Sequence, residues 1–241
     1  ETTIIDGGQN GSVVTFDNGE YNLTELNGFT ITNGIANGSA AYSMGGGILV
    51  IDSSPNINNL IIENNSANWG GGGINFDNSN QGVLKNSIVR NNTAASQGGG
   101  IYIVASSEDV LIENVLINNN EVLAENECCA SGSALHIHFN SSAILNNVTI
   151  THNVAIASAH QMRSAILVER NSNLEIINSI ITNNIPNHIV LSNSEYPSIL
   201  NISYSNIEGA NSSLIDISES SDINYSNLIS VNSQFTDPDN G

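Results

Sequence analysis

Short apolar runs rich in β-branched residues recur along the whole chain, for example at residues 60–62 and 101–104, and in others, such as residues 74–77, apolar and polar residues alternate. Alternation with a period of two predicts half-buried β-strands, and no stretch repeats apolar residues at the helical spacing of about 3.6. Asn, Gly and Ser lie between the stretches, as at residues 64–65 and 71–73, and these residues favour turns. The pattern therefore predicts many short strands separated by tight turns.

The strand and turn pattern itself repeats. Its last residue falls at Gly34, Asn65, Asn92, Asn120, Asn153 and Asn184. These positions are 31, 27, 28, 33 and 31 residues apart. A leucine-rich repeat has a similar period, but its leucine spacing and its helical half are missing here. We therefore predict an all-β fold, a single-stranded right-handed parallel β-helix of about seven to nine coils, as one domain over residues 1–241.

Stacking of the coils turns equivalent positions into columns, with neighbouring members about 4.8 Å apart. An apolar column is predicted to face the interior: Ile31, Ile62, Val89, Ile117, Ile150 and Ile181. A second column is almost all Asn and is predicted to form a turn with stacked, hydrogen-bonded amides: Gly28, Asn59, Asn86, Asn114, Asn147 and Asn178. The triple glycines, such as residues 71–73, are predicted to permit a tight turn with positive φ before a strand.

The unit at residues 62–67, followed by a short loop and Gly72, Gly73 and Ile74, resembles the paired FxxN and GGA[I/L] repeats of polymorphic outer membrane proteins. It also resembles the broader group of secreted parallel β-helix proteins with pectin-lyase-like topology. The chain departs from the motif by having Ile or Val in place of Phe and by losing the triple glycine in its later coils. The resemblance implies the fold and an extracellular setting, but this fold carries adhesins, lyases, hydrolases and inert stalks.

The charge balance narrows the possible partners. The chain has 23 acidic and four basic residues, and its formal net charge is -19. Such a surface repels nucleic acids and anionic membranes, whereas neutral glycans and divalent cations are compatible with it. No apolar run approaches the roughly 18 residues that a transmembrane helix needs. We expect a secreted or cell-surface protein that requires no cofactor, with calcium as a possible ligand.

The residue after the first Ile of each GGGI-type strand is predicted to point to solvent, because side chains alternate along a strand. With the residue two positions later, it gives a predicted ligand-binding face that suits a sugar: Asn75, Asp77, Tyr102, His136, His138 and Glu169. The alternative is an ordinary polar outer face. His136 and His138 could ligate a metal with a nearby carboxylate, but no third ligand is fixed and the metal is unknown.

An enzymatic interpretation of the same face is the second hypothesis. A polysaccharide lyase would have as its weak catalytic candidates His136, His138, Glu169 and Arg170. A glycoside hydrolase needs two carboxylates about 5 to 9.5 Å apart. Asp77 and Glu169 are three coils apart, at about 14 Å, so that pair fails, whereas Asp52 and Asp77 lie in neighbouring coils.

Two pairs of charged residues fall at equivalent positions of adjacent coils. They are Lys85 with Glu113 and Arg90 with Glu63. We predict ion pairs across neighbouring strands in both cases.

A mostly apolar column alternates with the interior column and should point outward: Thr30, Ile61, Ile88, Leu116, Thr149 and Ile180. An apolar strip on a surface indicates a covered or partner-binding face, and Ile61, Ile88 and Leu116 are its predicted interface residues. The alternative is that the coil bends and tucks the strip inward.

The two cysteines, Cys128 and Cys129, are adjacent and lie in an acidic loop. A strained disulfide between them, two buried thiols and an intermolecular link all remain open. The leading hypothesis is a structural and binding module, a segment of a longer adhesin-like or fibre-forming protein. It would contact glycans or other surface proteins and self-associate end to end or side to side, with a neighbour covering at least one end. The alternative is a polysaccharide-active enzyme, lyase before hydrolase.

Overall fold

The computed structural model describes residues 3–21, 23–123, 131–156, 162–192, 195–216 and 221–233. Its strands form four sheets in which every strand pairs in parallel with its equivalent in the next coil. We number the sheets 1 to 4 and give their strands below. Within each coil the chain passes through sheet 3, sheet 1, sheet 4 and sheet 2 in that order and then enters the next coil. Since sheets 1 and 2 each contain eight described strands, the fold is a parallel β-helix of eight coils, as the repeat predicts.

The strand bounds follow the repeat closely. Sheet 1 contains Thr3–Asp6, Phe29–Thr32, Ile61–Glu63, Ile88–Arg90, Leu116–Asn118, Thr149–Thr151, Ile180–Thr182 and Asn206–Ile207. Sheet 2 contains Val14–Phe16, Ile48–Ile51, Ile74–Asp77, Ile101–Val104, Leu135–His138, Ile166–Glu169, Ile189–Ser192 and Leu214–Asp216.

The other two sheets complete each coil. Sheet 3 contains Glu25–Asn27, Asn56–Asn58, Val83–Lys85, Asp109–Glu113, Ser142–Asn146, Asn173–Ile177, Ile199–Ser203 and Asp222–Ser226. Sheet 4 contains Ile35–Ala36, Ser66–Ala67, Thr93–Ala94, Glu121–Val122 and Val154–Ala155. The helices of the described residues are a 3₁₀ turn at Ala40–Ser43 and one α-helical turn at Ala210–Ser213. None of the described helices is long and apolar enough to cross a membrane.

The interior is a stack of mostly aliphatic side chains that also includes Phe16 and Phe76. All six members of the predicted inner column have no solvent exposure, so this prediction is confirmed. Phe76, on the inner face of sheet 2, is fully buried among them. Burying a large apolar side chain stabilises a fold by about 1.5–3 kcal/mol, and this continuous column is what holds successive coils together.

The triple glycines serve two purposes. The first glycine of each triplet has positive φ, 66° at Gly45 and 65° at Gly71, as the sequence predicts. The second glycine is needed for space instead, because a Cβ atom at Gly72 would lie 2.4 Å from the carbonyl oxygen of Gly99 in the next coil. A side chain at that position would force adjacent coils apart.

A buried asparagine ladder lies at the corner between sheets 1 and 4, in the positions that close each repeat. The Nδ2 atom of each Asn donates to Oδ1 of the Asn in the next coil, at 3.0 to 3.1 Å, for Asn65, Asn92, Asn120 and Asn153, and Asn184 ends the stack. The backbone N–H of each also donates to that Oδ1. The sequence analysis predicted stacked amides at the other Asn column and missed this ladder.

The predicted Asn column forms the exposed turn between sheets 3 and 1. Asn86, Asn114 and Asn147 all have φ close to 50°, a left-handed conformation that Asn tolerates better than most residues. Asn147 Nδ2 donates to Asn114 Oδ1 at 2.6 Å, and Asn114 Nδ2 donates to Asn86 Oδ1 at 3.1 Å. The predicted turn and its stacked amides are therefore confirmed here.

Candidate functional site

Strand register places the predicted ligand-binding residues on the outer face of sheet 2. Asn75 pairs with Tyr102, and Tyr102 pairs with His136, so these three residues lie in one row along the axis. His138 pairs with Glu169 in the parallel row two residues further on. The face that the repeat predicts is thus assembled by the fold.

The prediction that the first row faces solvent is wrong. The exposed fractions of Asn75, Tyr102 and His136 are 0%, 3% and 1%. A Cβ atom at Gly132, in the turn before the strand, would lie only 2.7 Å from Cβ of His136. The glycine turn that immediately precedes the strand therefore packs over the outer face of sheet 2. Alternation along a strand determines which side of the sheet a residue occupies. Whether that side is exposed to solvent depends on the turns that pack against it.

Four side chains of this face form a hydrogen-bonded cluster, which we call the His–Glu cluster: Tyr102, His136, His138 and Glu169. Oε1 of Glu169 lies 3.1 Å from Nε2 of His136 and 3.7 Å from Nε2 of His138. The Tyr102 hydroxyl lies 2.9 Å from Nδ1 of His138, and the rings of His136 and His138 are 5.6 Å apart. The cluster thus consists of two hydrogen-bonded pairs, Tyr102 with His138 and His136 with Glu169, and the His138–Glu169 contact at 3.7 Å brings the pairs together.

The protonation of the cluster follows from burial and from its own charges. The pKa of His138 is lowered to about 4, mainly by burial and also by His136 and Arg170, while Glu169 acts in the opposite direction. Burial alone would raise the pKa of Glu169, but the hydrogen bond from His136 and the positive charges of His136, His138 and Arg170 outweigh it and lower that pKa. At neutral pH the neutral His138 imidazole therefore accepts a hydrogen bond from the Tyr102 hydroxyl group. The ionised Glu169 carboxylate accepts a hydrogen bond from His136.

Solvent reaches only one edge of the cluster. The side chains of His138 and Glu169 are 19% and 12% exposed, and Arg170 follows in an exposed turn with φ of 58°. This edge can exchange protons with a bound molecule, through Glu169 as base or His138 as donor or acceptor. Within the described residues, no group of three or more His, Cys, Asp or Glu side chains is arranged to hold a metal ion.

Asn75 stands apart from the cluster, although it lies next to Tyr102. Neither Oδ1 nor Nδ2 of Asn75 has a hydrogen-bond partner within the described part of the chain, and both atoms are buried. Its neighbour in the preceding coil, Leu49, is fully buried at the equivalent position. An amide in an otherwise apolar layer is destabilising unless something binds it.

Asp77 lies at the opposite end of this face, next to Asp52 of the preceding coil. Burial raises the pKa of Asp77, and the charge of Asp52 raises it further. The Nδ2 atom of Asn78 donates to Asp52 at 2.6 Å. Asp52 also lines a groove of about 500 Å³ whose walls carry Glu20 and Glu108. Val104 separates Asp77 from His138 in the register, so the predicted face divides into an acidic end and a His–Glu end.

Sheet 1 provides the second candidate surface. The strip residues Ile61, Ile88, Leu116, Thr149 and Ile180 point outward and are half-buried, whereas Thr30 is buried. The predicted outward orientation is confirmed, and the alternative of an inward-tucked strip is wrong.

Around Leu116 and Thr149 the strip is the floor of a groove of about 660 Å³. Asn86, Asn114 and Asn147 form one rim of the groove, and Asn118 lies on the other side. We refer to it as the sheet 1 groove. Its Asn118 is a residue that sequence reasoning missed, because Asn118 opens the run Asn118–Asn119–Asn120 and reads there as one more turn residue.

The remaining site predictions have separate outcomes. Nζ of Lys85 lies 2.9 Å from Glu113, and Nε of Arg90 lies 2.7 Å from Glu63, so both predicted ion pairs are confirmed. Cys128 and Cys129, whose candidate disulfide is one of three open alternatives, lie outside the described residues.

The arrangement combines a buried acid–base cluster on sheet 2 with an uncharged groove on sheet 1. Comparison of the chain with protein-family models, with curated proteins and with solved structures finds no match to any of them.

Proposed function

We propose that this chain is a structural and binding module of the cell exterior that makes contact through the sheet 1 groove and the strip along its floor. One observation carries the proposal: five successive coils, from Ile61 to Ile180, place an uncharged, half-buried side chain on the same outer line. A protein with a net charge of -19 that keeps such a line free of charge offers a surface suited to desolvation against a partner.

The resemblance to polymorphic outer membrane protein repeats and to pectin-lyase-like proteins belongs to this proposal, as does an extracellular location. The rod supports it, because a solenoid of stacked coils presents a long surface at low sequence complexity. Neither a cofactor nor calcium is needed for contact through an uncharged groove.

Biosensor measurements on the immobilised 241-residue chain test the proposal. The analytes are the chain itself and a panel of soluble neutral and acidic polysaccharides. We expect at least one analyte to bind and Ile88→Lys and Leu116→Lys to abolish binding. Leu111→Lys is the matched control, since Leu111 is a half-buried residue on the outer face of sheet 3 in the same coil. Absence of binding to every analyte, or equal loss in the control, rejects the proposal.

A polysaccharide-active enzyme is the second candidate, lyase before hydrolase. The observation in its favour is the partly exposed edge of His138 and Glu169, beside Arg170. Perturbed ionisable groups at a surface edge are typical of catalytic sites, although structural networks perturb them too. Release of unsaturated or reducing products from the same polysaccharides, with and without calcium, and loss of that activity in His138→Ala would overturn the module proposal and support this one.

A further inference from the structure

The lining of the sheet 1 groove excludes charged ligands on electrostatic grounds. None of the described residues that line it is Asp, Glu, Lys or Arg. An anionic ligand would approach a protein of net charge -19 with no Lys or Arg in the described lining to meet it, where His152 is the one titratable side chain, and a cationic ligand would find no carboxylate inside the groove. The ligand that suits this surface is therefore neutral.

The rim of the groove is periodic. Asn86, Asn114 and Asn147 repeat once per coil, and each amide donates one N–H to an Asn of the preceding coil: Asn147 to Asn114, Asn114 to Asn86, and Asn86 to Asn58. Since an amide has two N–H groups, each coil has a second N–H for a ligand. Donors therefore recur along the rim at about 4.8 Å, which is close to the length of one pyranose residue in an extended polysaccharide.

An unpartnered acceptor faces this rim across the floor. Oδ1 of Asn118 is buried and receives no hydrogen bond from the described residues. Leaving such an acceptor without a partner is destabilising by about 1–3 kcal/mol. A hydroxyl group can donate to Asn118 while its oxygen accepts from an Asn amide, whereas the apolar side chain of Leu116 suits the C–H face of a sugar ring.

Other occupants fit less well. An extended peptide advances about 3.3 Å per residue, out of step with the rim, and it cannot add to the sheet because the Leu116 strand is paired on both sides. A second copy of the chain would match the coil spacing, but it would bring its own charge of -19 against this one.

We infer that the sheet 1 groove binds a neutral, linear polysaccharide whose chain runs along the axis of the β-helix, with one sugar residue per coil. The inference rests on the proposed function and names the ligand class of the same surface. Asn86, Asn114 and Asn147 donate to sugar oxygens, Asn118 accepts from a hydroxyl group, and Leu116 packs against the ring.

Isothermal titration calorimetry with neutral β-1,4-linked gluco-oligosaccharides of increasing length tests the inference, with a uronic-acid oligosaccharide as the charged counterpart. We expect affinity to rise with chain length until the sugar spans the coils that line the groove and then to level off. The uronic-acid compound should bind at least about tenfold more weakly. Leu116→Asp should weaken binding by at least about tenfold, and Asn118→Ala should weaken it several-fold with little effect on the fold.

Leu111→Asp is the matched control, because it places the same charge on the outer face of sheet 3 in the same coil. Circular dichroism and the thermal midpoint confirm that each variant is folded. The inference is overturned if the folded wild-type chain binds no neutral oligosaccharide, if Leu116→Asp and Leu111→Asp behave alike, or if the uronic-acid compound binds more tightly.

The two proposals fail separately. If no sugar binds but the chain self-associates in a way that Leu116→Asp abolishes, the contact surface stands and the ligand class is wrong. If the wild-type chain neither binds sugar nor self-associates, both are rejected.

Discussion

Two stacks of polar side chains run along this β-helix, and they satisfy their hydrogen-bonding groups in different ways. In the asparagine ladder from Asn65 to Asn184, every amide is buried and bonded to the identical residue of the next coil. On the covered face of sheet 2, Asn75 and His136 are equally buried, but each retains atoms without a partner among the described residues. Repetition supplies its own partners, so polar residues that break the repeat must find partners elsewhere.

The largest expected effect is the loss of one rung of the ladder. Asn120 accepts from the backbone N–H and Nδ2 of Asn92 and donates to Val89 O and Asn153 Oδ1, four bonds at 3.0 to 3.1 Å. We expect Asn120→Ala to lower the free energy of unfolding by about 3–5 kcal/mol, because it also leaves buried partners unsatisfied. Urea denaturation measures it.

The control for this ladder variant is Asn119→Gly. Asn119 is exposed and has φ of 55°, which glycine adopts freely. We expect that substitution to change the free energy of unfolding by less than about 1 kcal/mol. Equal effects of the two substitutions would contradict the role of the ladder.

Acidification should act next on the His–Glu cluster. The pKa of His138 is 6.5 in the unfolded chain and about 4 in the fold, so the unfolded state binds more protons between these values and stability falls as pH drops from 6.5 to 4. We expect the free energy of unfolding to fall by about 2 kcal/mol over this interval, a value reduced to allow for the exposed edge of the ring. The lowered pKa of Glu169 adds a further loss as pH falls below 4.5.

Urea denaturation at a series of pH values measures this dependence. In His138→Gln the part of the loss between pH 6.5 and 4 should largely disappear. His152→Gln, a change at an exposed histidine, should leave it in place. If the wild-type chain is equally stable at both ends of that pH interval, the cluster is not neutral at His138.

A smaller effect of opposite sign is expected at Asn75. Replacement by Leu, the residue of the preceding coil at this position, should raise the free energy of unfolding by about 1–2 kcal/mol, because it removes two unpartnered polar atoms from a buried layer. Thermal and urea unfolding measure it, and the reverse change, Leu49→Asn, should be destabilising. A loss of stability in Asn75→Leu would mean that the amide binds something within this layer.

The smallest effect is expected at the exposed ion pairs, which stack between coils like the ladder but remain in water. The side chains of Lys85 and Glu113 are 34% and 29% exposed. Lys85→Gln should lower stability by less than about 1 kcal/mol, and salt should remove the difference. A double-mutant cycle with Glu113→Gln isolates the pair. A coupling that persists at high salt would contradict this account.

The fold was predictable because the same pattern of residues recurs in the sequence once per coil. The inner column at Ile62 and Val89, the left-handed Asn turns and the ion pair of Arg90 with Glu63 all follow from aligning successive repeats. The candidate site was predictable only in its register. That His136 pairs with Tyr102 follows from the repeat, whereas its burial depends on the glycine turn that packs over this row, a contact between turn and strand that the period-two pattern does not show.

Two further features could be recognised only in three dimensions. The closing Asn of each coil could have been either a turn residue or a buried rung, and the choice depends on which side of a corner its side chain takes. Predicting the sheet 1 groove requires the positions of Asn114 and Leu116 relative to each other in three dimensions. A pattern of apolar and polar residues does not provide them.

The coils differ in length mainly at one corner, the connection from sheet 4 to sheet 2. That connection is short after Ala67 and Ala94 and longer after Val122 and Ala155, yet sheets 1 and 3 stay in register across all four coils. Insertions at this corner therefore leave the pitch of the rod unchanged. For protein engineering, this makes it a natural place to graft a foreign loop or a reporter without disturbing the groove on the opposite part of the coil.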